Sequence, residues 1–369
     1  MRSTFKLSVL LCACAAAQAQ AGATIPIGPD RSVSVGFGSR ASYASVEDGA
    51  PDGDSRSHDF NLDSGRLYFG ATLNKTIGGM FNTEWDGDRI RVLDAAAQFT
   101  ISPALNVWAG RLLSPSDRAN MAGPYYSLGG GYWAGVASRY GYNGGIFRGR
   151  DDGVVVWGNV ADGKLGYSFG AFEGRTFGIG SLTQGQARAA GVDAGDQPMF
   201  AGRLQYDFWD AEPGYYGTGN YLGSKDILAI GVAARYQKEG VLTVSDVGNY
   251  TAWNVDFLFE KRLPGGALSV EAAYYHYRND DVVLAEQGKA WSAGLGYIFA
   301  ANAGAGRLQP FVRYQQFRPD TGLDTRQSDA GVNWIIDGYN AQLGAVYSKT
   351  RQDTFADRSI FAVNLQVQY

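Results

Sequence analysis

Residues 106–126, NVWAGRLLSPSDRANMAGPYY, place fixed charges of both signs close together: Arg111, then Asp117 and Arg118. The aromatic pair Tyr125 and Tyr126 and a glycine run follow. Opposite charges held across a narrow wet passage create a transverse field that orders water and polar solutes. Catalysis has less to work with. The chain has two histidines, His58 and His276, and neither has a serine or acid partner at fixed spacing. Both cysteines, Cys12 and Cys14, lie near the N-terminus, inside a segment that reads as a leader. No GxxxxGK[ST] stretch stands between a strand and a helix, so no phosphate-binding loop is expected. The reading at this point is a non-enzyme without cofactor or metal site. The acidic run EDGAPDGD at 47–54 reads as a solvated loop before it reads as a cation site.

Further charges sit in the middle of alternating segments: Arg66, Glu84, Asp94, Arg203, Asp207, Arg235, Asp256, Glu260, Glu271, Arg307 and Arg313. Their neighbours on the opposite parity are apolar. In 252–277, Trp253, Val255, Phe257 and Phe259 alternate with Asn254, Asp256 and Glu260. After Pro264-Gly265-Gly266, Leu268, Val270, Ala272 and Tyr274 alternate with Ser269, Glu271 and Tyr275. Successive side chains of a strand face opposite sides, so each segment has one greasy and one ionised face.

The elements that must carry these charges are therefore strands. The alternation predicts strands at 32–44, 59–73, 76–86, 89–101, 105–114, 151–160, 164–174, 198–210, 226–237, 251–262, 266–278, 288–300, 306–317, 327–337, 339–350 and 358–369. Connections alternate in length. Turns such as 73–76, 102–104, 161–164, 263–266 and 337–340 are short, while 45–58, 115–150, 175–197, 238–250, 279–287, 318–326 and 351–357 are long. Two links break the rule: Asp86-Gly87-Asp88 is short, and 211–225 is long where a short turn is due.

A polar average suits strands with one wet face. Gly numbers 51 and Tyr 22, and mean hydropathy is −0.20. No apolar run is long enough for a helical membrane span. About sixteen such strands cannot share one soluble core, because a sandwich joins its apolar faces across a thin slab. A closed barrel turns them outward to lipid and leaves the charges in a wet interior. The fold class expected is all-β, a transmembrane antiparallel barrel with short turns at one end and long loops at the other. The start MRSTFKLSVLLCACAAAQAQA reads as a cleaved secretory signal over 1–21, with Arg2 and Lys6 as its positive end. One barrel domain, 22–369, follows. Losing those two of 32 basic residues leaves 30 against 36 acidic, a net charge of −6. That balance argues against a nucleic-acid partner.

In GRLYFGATLN (65–74), FNTEWDGD (81–88), 106–126 and AEPGYYGTGNYLGSKDILAIGVAARYQ (211–237), the chain resembles the sixteen-stranded porins of Gram-negative outer membranes. Within them it is similar to the group of the phosphate-selective porins O and P and the short-chain amide porins. The alternating last strand ending in Tyr369 resembles the insertion signal of outer-membrane proteins, there usually Phe. The resemblance implies an outer-membrane location, contact with lipid and lipopolysaccharide, a homotrimer, and a channel for small hydrophilic solutes or ions. Phosphate specificity would need a positive path, whereas the inward list mixes acids with about as many bases. Small residues on outward parity, Ala95, Ala97, Ala341 and Ala345, would let barrels pack closely. The longest loop, 115–150, is expected to fold inward, with Arg111, Asp117 and Arg118 at the constriction. The alternative is a structural or adhesive barrel plugged by that loop and presenting loops 175–197 and 238–250.

Overall fold

The computed structural model describes residues 22–85, 87, 89–131, 134–140, 149–174, 189, 191, 195–243, 246–282, 287–353 and 357–369. The expected leader, 1–21, and most of the expected loop 175–197 lie outside these residues. The alternating segments become β2 (Arg31–Val46), β3 (Ser57–Thr72), β4 (Ile77–Trp85), β5 (Ile90–Ser102), β6 (Leu105–Leu113), β7 (Arg150–Val160), β8 (Leu165–Phe172) and β9 (Met199–Asp207). Then come β10 (Ile227–Leu242), β11 (Val247–Leu263), β12 (Gly266–Arg278), β13 (Gly288–Phe299), β15 (Gly306–Pro319), β16 (Thr325–Asp337), β17 (Ala341–Gln352) and β18 (Arg358–Gln368). Two short strands were not expected, β1 (Ala23–Gly28) and β14 (Asn302–Ala303), nor was the one-turn helix α1 (Arg118–Ala122).

Each long strand pairs antiparallel with the next, and β18 pairs with β2 from Gln368↔Gly38 to Ile360↔Val46. The sheet thus closes on itself, leaving no unpaired edge along its long strands. Strand β1 pairs only with the first part of β2, from Ala23↔Val35 to Gly28↔Arg31. At the seam, Phe37 and Tyr369 exchange two backbone hydrogen bonds of 2.8 Å each.

The faces are inverted relative to a soluble protein. On β11, Val255 is 40% exposed while its neighbour Asp256 is 2% exposed. Leu204 and Tyr206 on β9, and Val363 and Leu365 on β18, are likewise exposed, whereas Arg203, Asp207, Asn364 and Gln366 are buried. An outer belt this apolar suits an apolar surrounding, and a buried polar interior needs partners or water.

The segment 208–226 leaves the short-turn end of the barrel, where the other links are tight, and 86–89 is a short link at the opposite end. The expected loop 238–250 is mostly strand: β10 and β11 run further than the alternation indicated, and leave only 243–246 between them.

Candidate functional site in the barrel lumen

The chain after β6 turns into the barrel instead of rising over it. Arg235 of β10 donates to the carbonyl oxygens of Ser114 (3.1 Å) and Pro115 (3.0 Å). Arg203 of β9 donates to that of Ser116 (3.1 Å). Asp117 accepts from the Tyr275 hydroxyl of β12 (2.7 Å) and from Ser138 (3.1 Å). Further along, the Tyr125 hydroxyl donates to Ser64 of β3 (3.2 Å), and the guanidinium of Arg66 lies 4.7 Å from the centre of its ring. Gln366 of β18 donates to the Tyr125 carbonyl (3.0 Å), and Asn333 of β16 to that of Leu128 (3.1 Å). The Val136 amide donates to Gln315 of β15 (2.9 Å), and the Arg139 amide to Tyr277 of β12 (3.0 Å). One segment therefore reaches strands on opposite walls. The described residues of the loop expected to fold inward do so, while 132–133 and 141–148 lie outside the described residues.

A second insertion meets it from the short-turn end. Glu212 accepts two hydrogen bonds from Arg118, at 2.8 and 2.7 Å. Arg118 also donates to the Thr218 carbonyl (3.0 Å) and to Gln205 (3.2 Å), and its amide donates to Asp256 (3.2 Å). Gly217 donates to the Met121 carbonyl (3.3 Å) and Gly219 to that of Tyr126 (2.8 Å). The backbones approach so closely at Gly219 that a Cβ there would lie 2.8 Å from the Tyr126 oxygen. The same insertion is bound to the wall. The Tyr215 hydroxyl donates to the Leu113 carbonyl. Its ring lies 5.0 Å from Trp108 of β6 and 5.7 Å from Trp157 of β7. Glu260 of β11 accepts from the amides of Tyr221 (2.8 Å) and Gly223 (2.6 Å).

Two cavities of about 40 and about 30 Å3 flank this junction. Each has room for a few waters. Arg203, Gln205 and Glu212 help line the first, Asp256 and Glu271 the second, and Arg118 lines both. Electrostatics follow from burial. Burial pushes the Asp117 carboxyl up to about 6, aided by the charge of Asp256. Burial also works against ionised Glu212, yet Arg118 holds its carboxyl below the usual range.

The remaining expected residues can now be placed. Arg66 and Glu84 form an inward pair (2.7 Å). Asp94 accepts from Asn82 (3.0 Å) and Arg150 (2.8 Å). Arg203 is bound to Asp256 (2.8 Å), and Arg313 to Asp329 (2.9 Å). Asp207 accepts from the Glu212 amide (2.7 Å), and Arg307 donates to the Leu222 carbonyl (3.1 Å). Glu271 makes no hydrogen bond or ion pair among the described residues, and it faces the second cavity.

Arg111 is the correction. It shares a row of β6 with Val107 and Ala109, and its cross-strand partner is Asp152 of β7, next to outward-facing Val154. There it pairs with Asp152 at 3.3 Å, on the outer face at the long-loop end, while Trp108 and Leu112 point inward. A guanidinium at the rim reaches water, so polarity alone did not dictate its side. His58 bonds the Tyr43 hydroxyl (2.6 Å) near the same end, and His276 packs on Trp253 on the outer face. Glu212 and Gln205 were not singled out from sequence; the signal for Glu212 was the misplaced length of 211–225.

No protein-family model matches the chain, and no curated protein does. Solved structures do. OprB of Pseudomonas putida aligns with a TM-score of 0.61 at 10% identity, over 91% of this chain and 94% of that one. An anion-selective porin of Comamonas acidovorans aligns at 0.58 and 14%, over 92% and 100%. The outer-membrane channel DcaP of Acinetobacter baumannii aligns at 0.55 and 13%, over 95% and 100%. The fold is that of outer-membrane porins and channels.

Proposed function

We propose that the chain is a porin-type channel of the bacterial outer membrane, exported by its cleaved leader, for passive diffusion of small hydrophilic solutes. The observation that carries this is the pairing of a lipid-ready outer belt with a polar lumen narrowed by two insertions around Arg118. By the resemblance, the long-loop end faces outside and the short-turn end the periplasm, with lipid and lipopolysaccharide around the belt. The barrels assemble as trimers through outward faces such as that of Ala95, Ala97, Ala341 and Ala345. The phosphate specificity implied by the porin O and P resemblance has little support from the lumen, where arginines are already bound to carboxylates or carbonyls.

A second reading is favoured by one observation. Asp117, Glu260, Tyr275 and Gln315 all face the lumen, yet each is wholly buried. A barrel this filled at mid-height would be a structural or adhesive one, plugged by its own loops. Planar-bilayer recording decides between the two. Purified protein should give discrete, persistent conductance steps. Silence from verifiably inserted protein would establish the plugged barrel instead.

A further inference from the structure

We infer that the path between the two cavities, past the Arg118–Glu212 contact, selects small cations, with Glu271 as the specificity-determining residue. The inference rests on the channel reading above. Among the described residues, Arg118 alone lines both cavities, so it stands between them. Glu212, the carboxylate that accepts two of its hydrogen bonds, belongs to the opposite insertion.

The sign of the selectivity follows from which charges are already cancelled. The ionised groups lining the first cavity are Arg118, Arg203 and Glu212, and those lining the second are Arg118, Asp256 and Glu271. Arg118 is bound to Glu212 (2.7 Å), and Arg203 is bound to Asp256 (2.8 Å). Two guanidiniums and two carboxylates thus neutralise one another in direct contact. An entering anion would have to break one of these pairs to find a cation, and a buried pair is costly to break. Glu271 is left over. Its nearest charged influences, Arg118 and Arg313, both have carboxylate partners already. Its β12 neighbour Ser269 is occupied with Glu260 (3.0 Å), and the residue opposite it on β13 is Gly294, which brings no side chain. Arg235 and Arg307 line neither cavity, and they donate to backbone carbonyls. Asp207 and Glu260 line neither one, and both are held by neutral donors. The wetted wall therefore carries one carboxyl, Glu271, with no partner among the described residues, and the low-dielectric wall behind it strengthens its attraction for a passing cation.

The test is the reversal potential of the purified protein in a planar bilayer under a potassium chloride gradient. The wild type should reverse on the cation side. Glu271→Gln should lose more than half of that potential, and Glu271→Asp should keep it. Conductance steps with a reversal potential at zero or on the anion side would overturn the inference while leaving the channel reading intact. So would an unshifted potential in Glu271→Gln, which would remove Glu271 from the selective role. A silent bilayer with inserted protein would overturn both readings together.

Discussion

Arg118 and Glu212 lie 94 residues apart in sequence, enter the barrel from opposite ends, and join through two hydrogen bonds of 2.8 and 2.7 Å. Both side chains are nearly inaccessible to solvent, at 5% and 4% exposure. The contact therefore fastens one insertion to the other inside the barrel.

Cutting this fastening should widen the passage. Glu212→Gln is expected to raise single-channel conductance, because the 208–226 segment loses its charged hold on α1. Arg118→Ala should do the same and also destabilise the fold by about 3 kcal/mol, since it leaves the buried Glu212 carboxylate without its cation. Bilayer recording checks the first effect and denaturant titration in detergent the second. Unchanged conductance in both variants would place the narrowest point elsewhere.

Arg111 supplies the contrasting case. It pairs with Asp152 on the outer face at the rim. Arg111→Ala should leave the reversal potential where it is and alter stability by no more than about 1 kcal/mol, as for other exposed pairs. A selectivity change in this variant would return Arg111 to the lumen.

Asp117 makes the inward loop sensitive to pH. Its carboxyl rises from 3.8 to about 6 on folding, facing Asp256 and Arg203 and bonded to Tyr275 and Ser138. The folded state thus holds this proton more tightly than the unfolded one does. The stabilisation is complete below the unfolded value and is lost as pH rises through the folded one. With the intrinsic pH dependence of amide exchange divided out, protection over 114–131 should be greater at acid pH than at neutral pH. Asp117→Asn should flatten that difference; a variant that keeps the full pH dependence would assign it to another group.

Trp108, buried against Trp157 and Tyr215, anchors the second insertion to the wall. Trp108→Ala should cost about 3 to 5 kcal/mol. It should also speed proteolysis within 208–226 while leaving the barrel's strand content intact by circular dichroism. Equal loss of barrel and insertion would show that the two are not separable.

The sixteen long strands were legible because an apolar outer face and a polar lumen impose strict alternation, as in exposed Val255 and buried Asp256. Strand β1 left no such trace, since all six of its residues are exposed. The loop at 115–150 could be picked out by length, and its Asp117 and Arg118 are bonded to Tyr275 and Glu212 inside the barrel. What length could not supply was the partner. Glu212 sits in a polar stretch with no periodicity, and only the finished barrel brings it to Arg118. Trp108 and Trp157 also point inward, against the rule that greasy residues face lipid, because Tyr215 fills the lumen beside them. Tertiary packing of that kind overrides local pattern.

The seam between β18 and β2 has a consequence for how the molecule is made. Arg56, next to β3, donates to Ser359 at the start of β18 across 303 residues of sequence, and the Phe37 backbone pairs with that of the terminal Tyr369. The ring cannot shut before β18, which follows the other fourteen long strands that lie between it and β2 in the chain. Contacts this distant in sequence form slowly. Until then every intermediate has two open edges, ready to pair with a neighbouring chain. The molecule therefore depends on being kept apart from its own copies until β18 has found β2.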